Sequence, residues 1–330
     1  MKLSTTILIP VILAVCAATA GAATLFPVAM GGRWGFADKS GKLIVNPQFD
    51  RAEEFSGKLA AVRLAKWGYT DNTGTFVINP QFDTAGPFSD GLAAVSTGSH
   101  SGYVGTDGKY VINPQFDDAS AFAEGLAAVK LNHKWGYIDK SGKIVINPQF
   151  DEAADFTSGL AAVKSGKLYG YVDTTGKYVI NPQFEHAASF SENLAAIRLG
   201  DRCGYIDKTG KMIINPQFDD AGDFVKGLAP AKLGKVWGYI DTQGKFAINP
   251  QFDDAASFAE GLARTKSGGK WGFIKADGKF AINPQFDGAM DFHNGLARVS
   301  LGSAFTGTFT GGRRFGYIDT DGKYVWNPNK

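Results

Sequence analysis

Cysteine is almost missing from this chain, with two in 330 residues, Cys16 and Cys203. Cys16 falls in a leader-like segment, so Cys203 stands alone, no internal disulfide is available, and the fold must rest on packing. Histidine is nearly as scarce. His100, His133, His186 and His293 lie in different copies of the repeat described below and make no zinc spacing. Nothing pairs a nucleophile with a base and an orienting acid. An excess of charge is also lacking: the formal net charge is +2, which removes the electrostatic footprint of a nucleic-acid binder. Past residue 23 no apolar run is long enough to cross a bilayer.

Residues 1–23 have a different character. Lys2 gives a short positive end, residues 7–20 are apolar or small with Pro10 among them, and Ala18-Thr19-Ala20 and Ala20-Gly21-Ala22 offer small-x-small cleavage sites. The layout is that of a secretory signal peptide, so the mature chain is expected to be periplasmic or secreted. Leu13-Ala14-Val15-Cys16 resembles a lipoprotein signal, but Val15 stands where that motif wants a small residue, so a lipid on Cys16 is the weaker reading, as is an uncleaved anchor.

The chain is rich in one phrase. Asn-Pro-Gln-Phe begins at Asn46, Asn79, Asn113, Asn147, Asn181, Asn215, Asn249 and Asn283, and a broken copy starts at Asn327; the spacings are 33, then 34 six times, then 44. A period this regular marks a tandem array whose units stack on their neighbours. Each unit reads as a Leu-Ala-x-Val strand, a Trp-Gly-Tyr-Ile-Asp strand, a tight turn and a Lys-x-Val-Ile-Asn strand, rich in β-branched and aromatic residues. The turn carries Asp first at Asp38, Asp71, Asp139, Asp173, Asp207, Asp241 and Asp319, whereas Gly105 and Lys275 are compensated by Asp107-Gly108 and Asp277-Gly278. Geometry tolerates that swap; chemistry would not. Proline in Asn-Pro-Gln-Phe is expected to end the hairpin. The segment after it, Asp117 to Gly125, reads as one helical or 3₁₀ turn.

Lys134-Trp135-Gly136-Tyr137-Ile138-Asp139-Lys140-Ser141-Gly142-Lys143, followed by Asn147-Pro148-Gln149-Phe150-Asp151 and by Phe156 to Val163, resembles the bacterial WG repeat, also called the KWG repeat. The resemblance spans about residues 25–330, with departures at the Trp position, which becomes Ser101, Tyr169, Cys203 and Phe315. It implies an exported or surface β-repeat protein used for interactions, with no catalytic residue to carry over.

The expected fold is therefore all-β: nine three-stranded units over residues 24–330, in an open solenoid-like or superhelical array. A closed propeller-like ring is the alternative, disfavoured because blades usually need four strands and about 40–45 residues. The Trp row (Trp34, Trp67, Trp135, Trp237, Trp271) is expected to wedge between units, since Ser101 or Cys203 in that slot cannot stack on a sugar; Trp135→Ala should then cost about 3–5 kcal/mol. The acids after Phe (Asp50, Asp83, Asp117, Asp151, Glu185, Asp219, Asp253, Asp287) read as caps and a solvated rim. Asp319-Thr320-Asp321-Gly322 lacks the further ligands of a calcium loop. No enzyme, metal or cofactor is expected. Function should sit where copies differ, in the segments 96–101, 131–134, 199–202 and 266–270. The ten-residue enlargement at about 303–312 supplies candidate partner-binding residues Phe305, Phe309, Arg313 and Arg314. The expected role is a monomeric protein-binding scaffold, or alternatively a carbohydrate or cell-wall binding module using exposed aromatics.

Overall fold

The computed structural model describes residues 24–302 and 315–327. One unit explains the rest, and residues 117–150 serve as the example. The strand Lys134–Asp139 turns back through Asp139-Lys140-Ser141-Gly142 into Ile144–Phe150. Asp139 Oδ1 accepts from Ser141 N at 2.9 Å, Ser141 Oγ at 2.6 Å and Lys143 N at 3.1 Å, and Gly142 takes the left-handed φ of 85° that closes the turn. In the two swapped copies Asp107 and Asp277 accept from Lys109 N at 3.1 Å and Lys279 N at 3.0 Å instead. The exchange of positions preserves the turn.

Asn-Pro-Gln-Phe does not end this strand. Pairing runs Ile138↔Ile144, Tyr137↔Ile146, then jumps to Trp135↔Phe150, so Asn-Pro-Gln forms a bulge inside the strand. That bulge crosses the Gly of Trp-Gly closely: a Cβ on Gly136 would lie 2.4 Å from Ile146 O and 2.6 Å from Pro148 N. Any side chain there would push the bulge away, which explains the glycine in each copy.

The expected helical turn is a strand. Asp118–Ala119 pairs with Lys130 and Val129, and a further bridge joins Ala123 to Leu126 across a turn in which Glu124 and Gly125 have φ of 52° and 81°. Eight of the nine units thus hold four strands within the short period, because the first spends only a few residues on pairing.

The nine sheets comprise eight of four antiparallel strands and one of three. We number them blades 1 to 9: blade 1 is Leu25–Met30, Arg33–Asp38 and Leu43–Phe49; blade 2 begins with Arg51–Ser56 and blade 9 with Gly288–Ala289. Cores form between neighbours, as where Tyr137, Ile146 and Phe150 of blade 4 pack with Phe156, Ala161 and Val163 of blade 5. The outermost strand of each blade is the fourth, whose Val77, Val111 and Val179 are exposed. The first strands lie toward the axis.

The array is closed, not open. Phe26, Val28 and Ala37 of blade 1 share a core with Leu296, Phe315 and Tyr317 of blade 9. Trp34 stacks on Phe315 at 5.3 Å, and Tyr317 Oη donates to Pro27 O at 3.0 Å. Among the described residues no strand pairs across this seam, so side chains close the ring. The fold is a β-propeller, and the open superhelix is overturned by this contact of first and last units.

Candidate functional site

Most repeated polar groups are occupied in holding blade to blade. The main tie is the buried ring directly after the close-packed glycine, Tyr in blades 2 to 7 and 9 and Phe36 or Phe273 in blades 1 and 8. Tyr103, Tyr137, Tyr171 and Tyr205 donate at 2.7 Å to Ser120, Ala154, Ala188 and Gly222 carbonyls on the next blade's first strand. Burial pushes each of these phenols well above its ordinary range. Each ring also meets a Phe of the next blade, Tyr137 to Phe156 at 4.7 Å. The Trp expected to wedge between units does pack against these inter-blade cores, Trp135 against the cluster of Tyr137 and Phe156, but it is only half-buried, and a cation lies over it: Lys130 Nζ is 5.8 Å from the Trp135 ring and Arg264 5.1 Å from Trp271.

The acids after Phe act as caps. Asp151 Oδ1 meets Lys134 Nζ at 2.5 Å while Oδ2 accepts from Gly166 N at 2.7 Å, and Asp219 does the same with Arg202 at 2.7 Å and Gly234 N at 2.6 Å. On the opposite face Glu124 accepts from Ser158 N at 2.6 Å and Gly159 N at 2.8 Å of the next blade, and Glu260 repeats this on Asn294 and Gly295 at 2.7 Å. Among the described residues no group of three or more His, Cys, Asp or Glu is placed to hold a metal. Cys203 is buried, and burial raises its thiol above the usual range. The candidate loop residues Phe305, Phe309, Arg313 and Arg314 lie outside the described residues, as does the leader segment 1–23.

The repeat rules fail at the seam. In blades 2 to 6 the residue facing the Tyr on the second strand is Ala; in blades 8 and 9 it is Arg264 and Arg298. Blade 8 has Phe273 in place of Tyr, and Arg264 brings a different donor across, reaching Ala289 O at 3.2 Å, one residue before the carbonyl a Tyr would meet, and Asp291 Oδ1 at 2.7 Å. Arg298 Nη2 donates to Tyr317 Oη at 2.7 Å and its guanidinium lies 4.8 Å from the Phe315 ring. Tyr317 turns to Pro27 O because blade 1, among the described residues, has no first strand to receive it; burial first, opposed by Arg298, leaves its phenol pushed up to about 12.

The first strands of blades 9 and 2 consequently face each other, with His293 Nε2 3.6 Å from Glu54 Oε2. Beside them opens a cavity of about 510 Å³, whose walls include Glu53, Glu54, Trp67, Phe88, Met290 and Arg298. It combines exposed carboxylates with an apolar wall, a setting for a basic, partly apolar segment. Sequence reasoning passed over it. Its signals were Arg for Ala in Leu296-Ala297-Arg298-Val299 and the acid pair in Ala52-Glu53-Glu54-Phe55.

A ring of nine sheets joined by repeated inter-blade ties, broken at one seam, defines a nine-bladed β-propeller. The WG containing repeat matches residues 34–65, 67–99, 102–135, 135–169, 169–203, 204–237, 237–271 and 271–303, so the chain belongs to that repeat family. Among solved structures it is similar to the crystal structure of the eukaryotic initiation factor, at 11% identity and a TM-score of 0.65, covering 92% of this chain and 95% of that one. That likeness is one of fold alone. Fainter likenesses are to dihydro-heme d1 dehydrogenase NirN in complex with DHE (12% identity, TM-score 0.48, 78% of this chain, 72% of that) and to Kluyveromyces lactis Hsv2p (9%, 0.43, 64%, 86%). No curated protein matches the chain. Among the described residues no helix is long and apolar enough to cross a membrane.

Proposed function

We propose that this propeller is an exported, monomeric, non-catalytic scaffold that binds a protein partner at the seam and on the face carrying the turns between second and third strands. The observation that carries this reading is the seam cavity, where Glu53 and Glu54 stand exposed beside Trp67, Phe88 and Met290. Elsewhere the recurring carboxylates and phenols are committed to backbone groups, which leaves them structural work and makes the ring a rigid support. Half-burial beneath Lys or Arg leaves the Trp row poorly suited to stacking on sugars, which weighs against the carbohydrate reading.

The test is capture from cell envelope and culture medium, using the wild-type chain against Glu53→Gln/Glu54→Gln and a deletion of residues 303–312. A partner retained by wild type and lost from either variant is expected. Identical capture by all three, at unchanged melting temperature, would remove the seam and the insertion as binding regions.

A further inference from the structure

The turn between first and second strands carries a recurrent tie from one blade to the next. Glu124 accepts from Ser158 N and Gly159 N at 2.6 and 2.8 Å, Glu192 from Lys226 N and Gly227 N at 2.5 and 2.8 Å, and Glu260 from Asn294 N and Gly295 N, both at 2.7 Å. Two successive amides of a left-handed turn thus make a nest for one carboxylate. Blade 2 departs from the pattern. Where blade 4 reads Phe122-Ala123-Glu124-Gly125-Leu126, blade 2 reads Phe55-Ser56-Gly57-Lys58-Leu59, whereas blades 3 to 9 all keep a side chain at the Glu124 place. The receiving turn of blade 3 is unaltered: Asp90 and Gly91 have φ of 54° and 86°, against 56° and 82° for Ser158 and Gly159. Among the described residues no acceptor meets the Asp90 and Gly91 amides. By the same geometry they face the space that a side chain on Gly57 would fill.

A cavity of about 450 Å³ opens at this boundary, a size suited to a small molecule. Gly57, Lys58 and Gly91 border it, Leu59, Phe88 and Val77 give it an apolar wall, and Val77 is 46% exposed. We propose that the cavity binds a monocarboxylic acid with an apolar tail. Its carboxylate accepts from the amides of Asp90 and Gly91, as the Glu124 side chain does from Ser158 and Gly159, and its tail lies along Leu59, Phe88 and Val77. The head group follows from the three internal carboxylates that occupy the same nest in other blades. Lys58, on the same rim, adds a positive charge where the later blades have Gly or Asn. The tail follows from the wall. Of its hydroxyls, Ser56 already donates to Phe88 O, so Thr106 alone is left to meet a polar tail. Leu59 and Phe88 also border the seam cavity, but the acid enters past Gly57 and Gly91 and not past Glu53 and Glu54. The site is independent of the scaffold reading.

The experiment titrates octanoate, octanamide and acetate into the full chain by calorimetry. Saturable octanoate binding is expected, with octanamide and acetate each about tenfold weaker or more, since one lacks the charge and the other the tail. Octanoate should also shift the amide resonances of Asp90 and Gly91. Gly57→Glu supplies the carboxylate from within. Gly57 has φ of 63°, close to the 52° of Glu124, and a Cβ there meets nothing within 4 Å. The variant should therefore fold, melt higher and lose octanoate. Val77→Asp should weaken binding about tenfold by setting a charge against the tail, and Glu53→Gln/Glu54→Gln should leave it unchanged. The inference is overturned by no saturable octanoate binding, by octanamide binding as tightly, or by binding that survives Gly57→Glu at an undiminished melting temperature. Should Gly57→Glu melt lower than wild type, undiminished binding by Val77→Asp overturns it instead. Loss of octanoate from Glu53→Gln/Glu54→Gln would put the acid in the seam cavity and overturn it as well.

Discussion

Tyr137 Oη of blade 4 donates to Ala154 O of blade 5 at 2.7 Å, from a ring that is 1% exposed. The ring gives packing and the hydroxyl satisfies a carbonyl on the neighbouring strand. Tyr137→Phe leaves that carbonyl short of a donor and should cost about 1–3 kcal/mol in denaturant unfolding. A change within error would show that water replaces the bond.

Tyr137→Ala should be worse than Trp135→Ala. A buried aromatic removed from a core costs roughly 3–5 kcal/mol, and Trp135 is half-buried with one face under Lys130. The earlier expectation for Trp135 therefore belongs to Tyr137. Paired unfolding curves of the two variants decide the order.

Arg264 and Phe273 should behave as a compensating pair. Arg264→Ala removes the donor to Ala289 O and the partner of Asp291. Adding Phe273→Tyr restores the usual arrangement of the other blades. A double-mutant cycle should show recovery of about 0.5–3 kcal/mol; strict additivity would refute the exchange.

Acid should destabilise the ring. Asp139 and Asp173 are held below the usual range first by the hydroxyls of Ser141 and Thr175, and Asp151 first by Lys134. A depressed folded pKa means stability that is complete above the unfolded value, about pH 4, and lost as pH falls toward the folded one. Asp155 and Asp223, raised by desolvation, act in the opposite sense but are outnumbered. The melting temperature should hold at neutral pH and drop below about pH 4; a rise on acidification would contradict the assignment.

Glu124→Ala should act locally. It frees the amides of Ser158 and Gly159 on the neighbouring blade, so hydrogen exchange there should quicken while that of Tyr171 stays slow.

The repeat unit was legible from its period, its turn chemistry and its aromatic strands, and the swap to Asp107 and Asp277 in the turns reads correctly from sequence alone. Three things were not. The first strand was hidden because Asp118-Ala119-Ser120-Ala121 is made of small and polar residues, which carry no strand signature, and its ladder is completed by isolated bonds. Tyr137 was overshadowed by Trp135, because size suggested burial; the two share one face of the strand, and the one further from its end, Tyr137, is the one enclosed beside Phe156. Closure depends on the angle between successive sheets, and no residue pattern states that angle. The seam was visible only as departures, Arg264 and Arg298 for Ala, whose meaning needs the ring.

The contact of Trp34 with Phe315 also has a mechanical side. Many circular molecules lock by lending a piece of one end to the other; here, among the described residues, blades 1 and 9 lean together through side chains. Traction applied to the termini should part blade 9 from blade 1 as a clasp parts, leaving the remaining blades joined in a flexible arc that snaps shut again when the load is released.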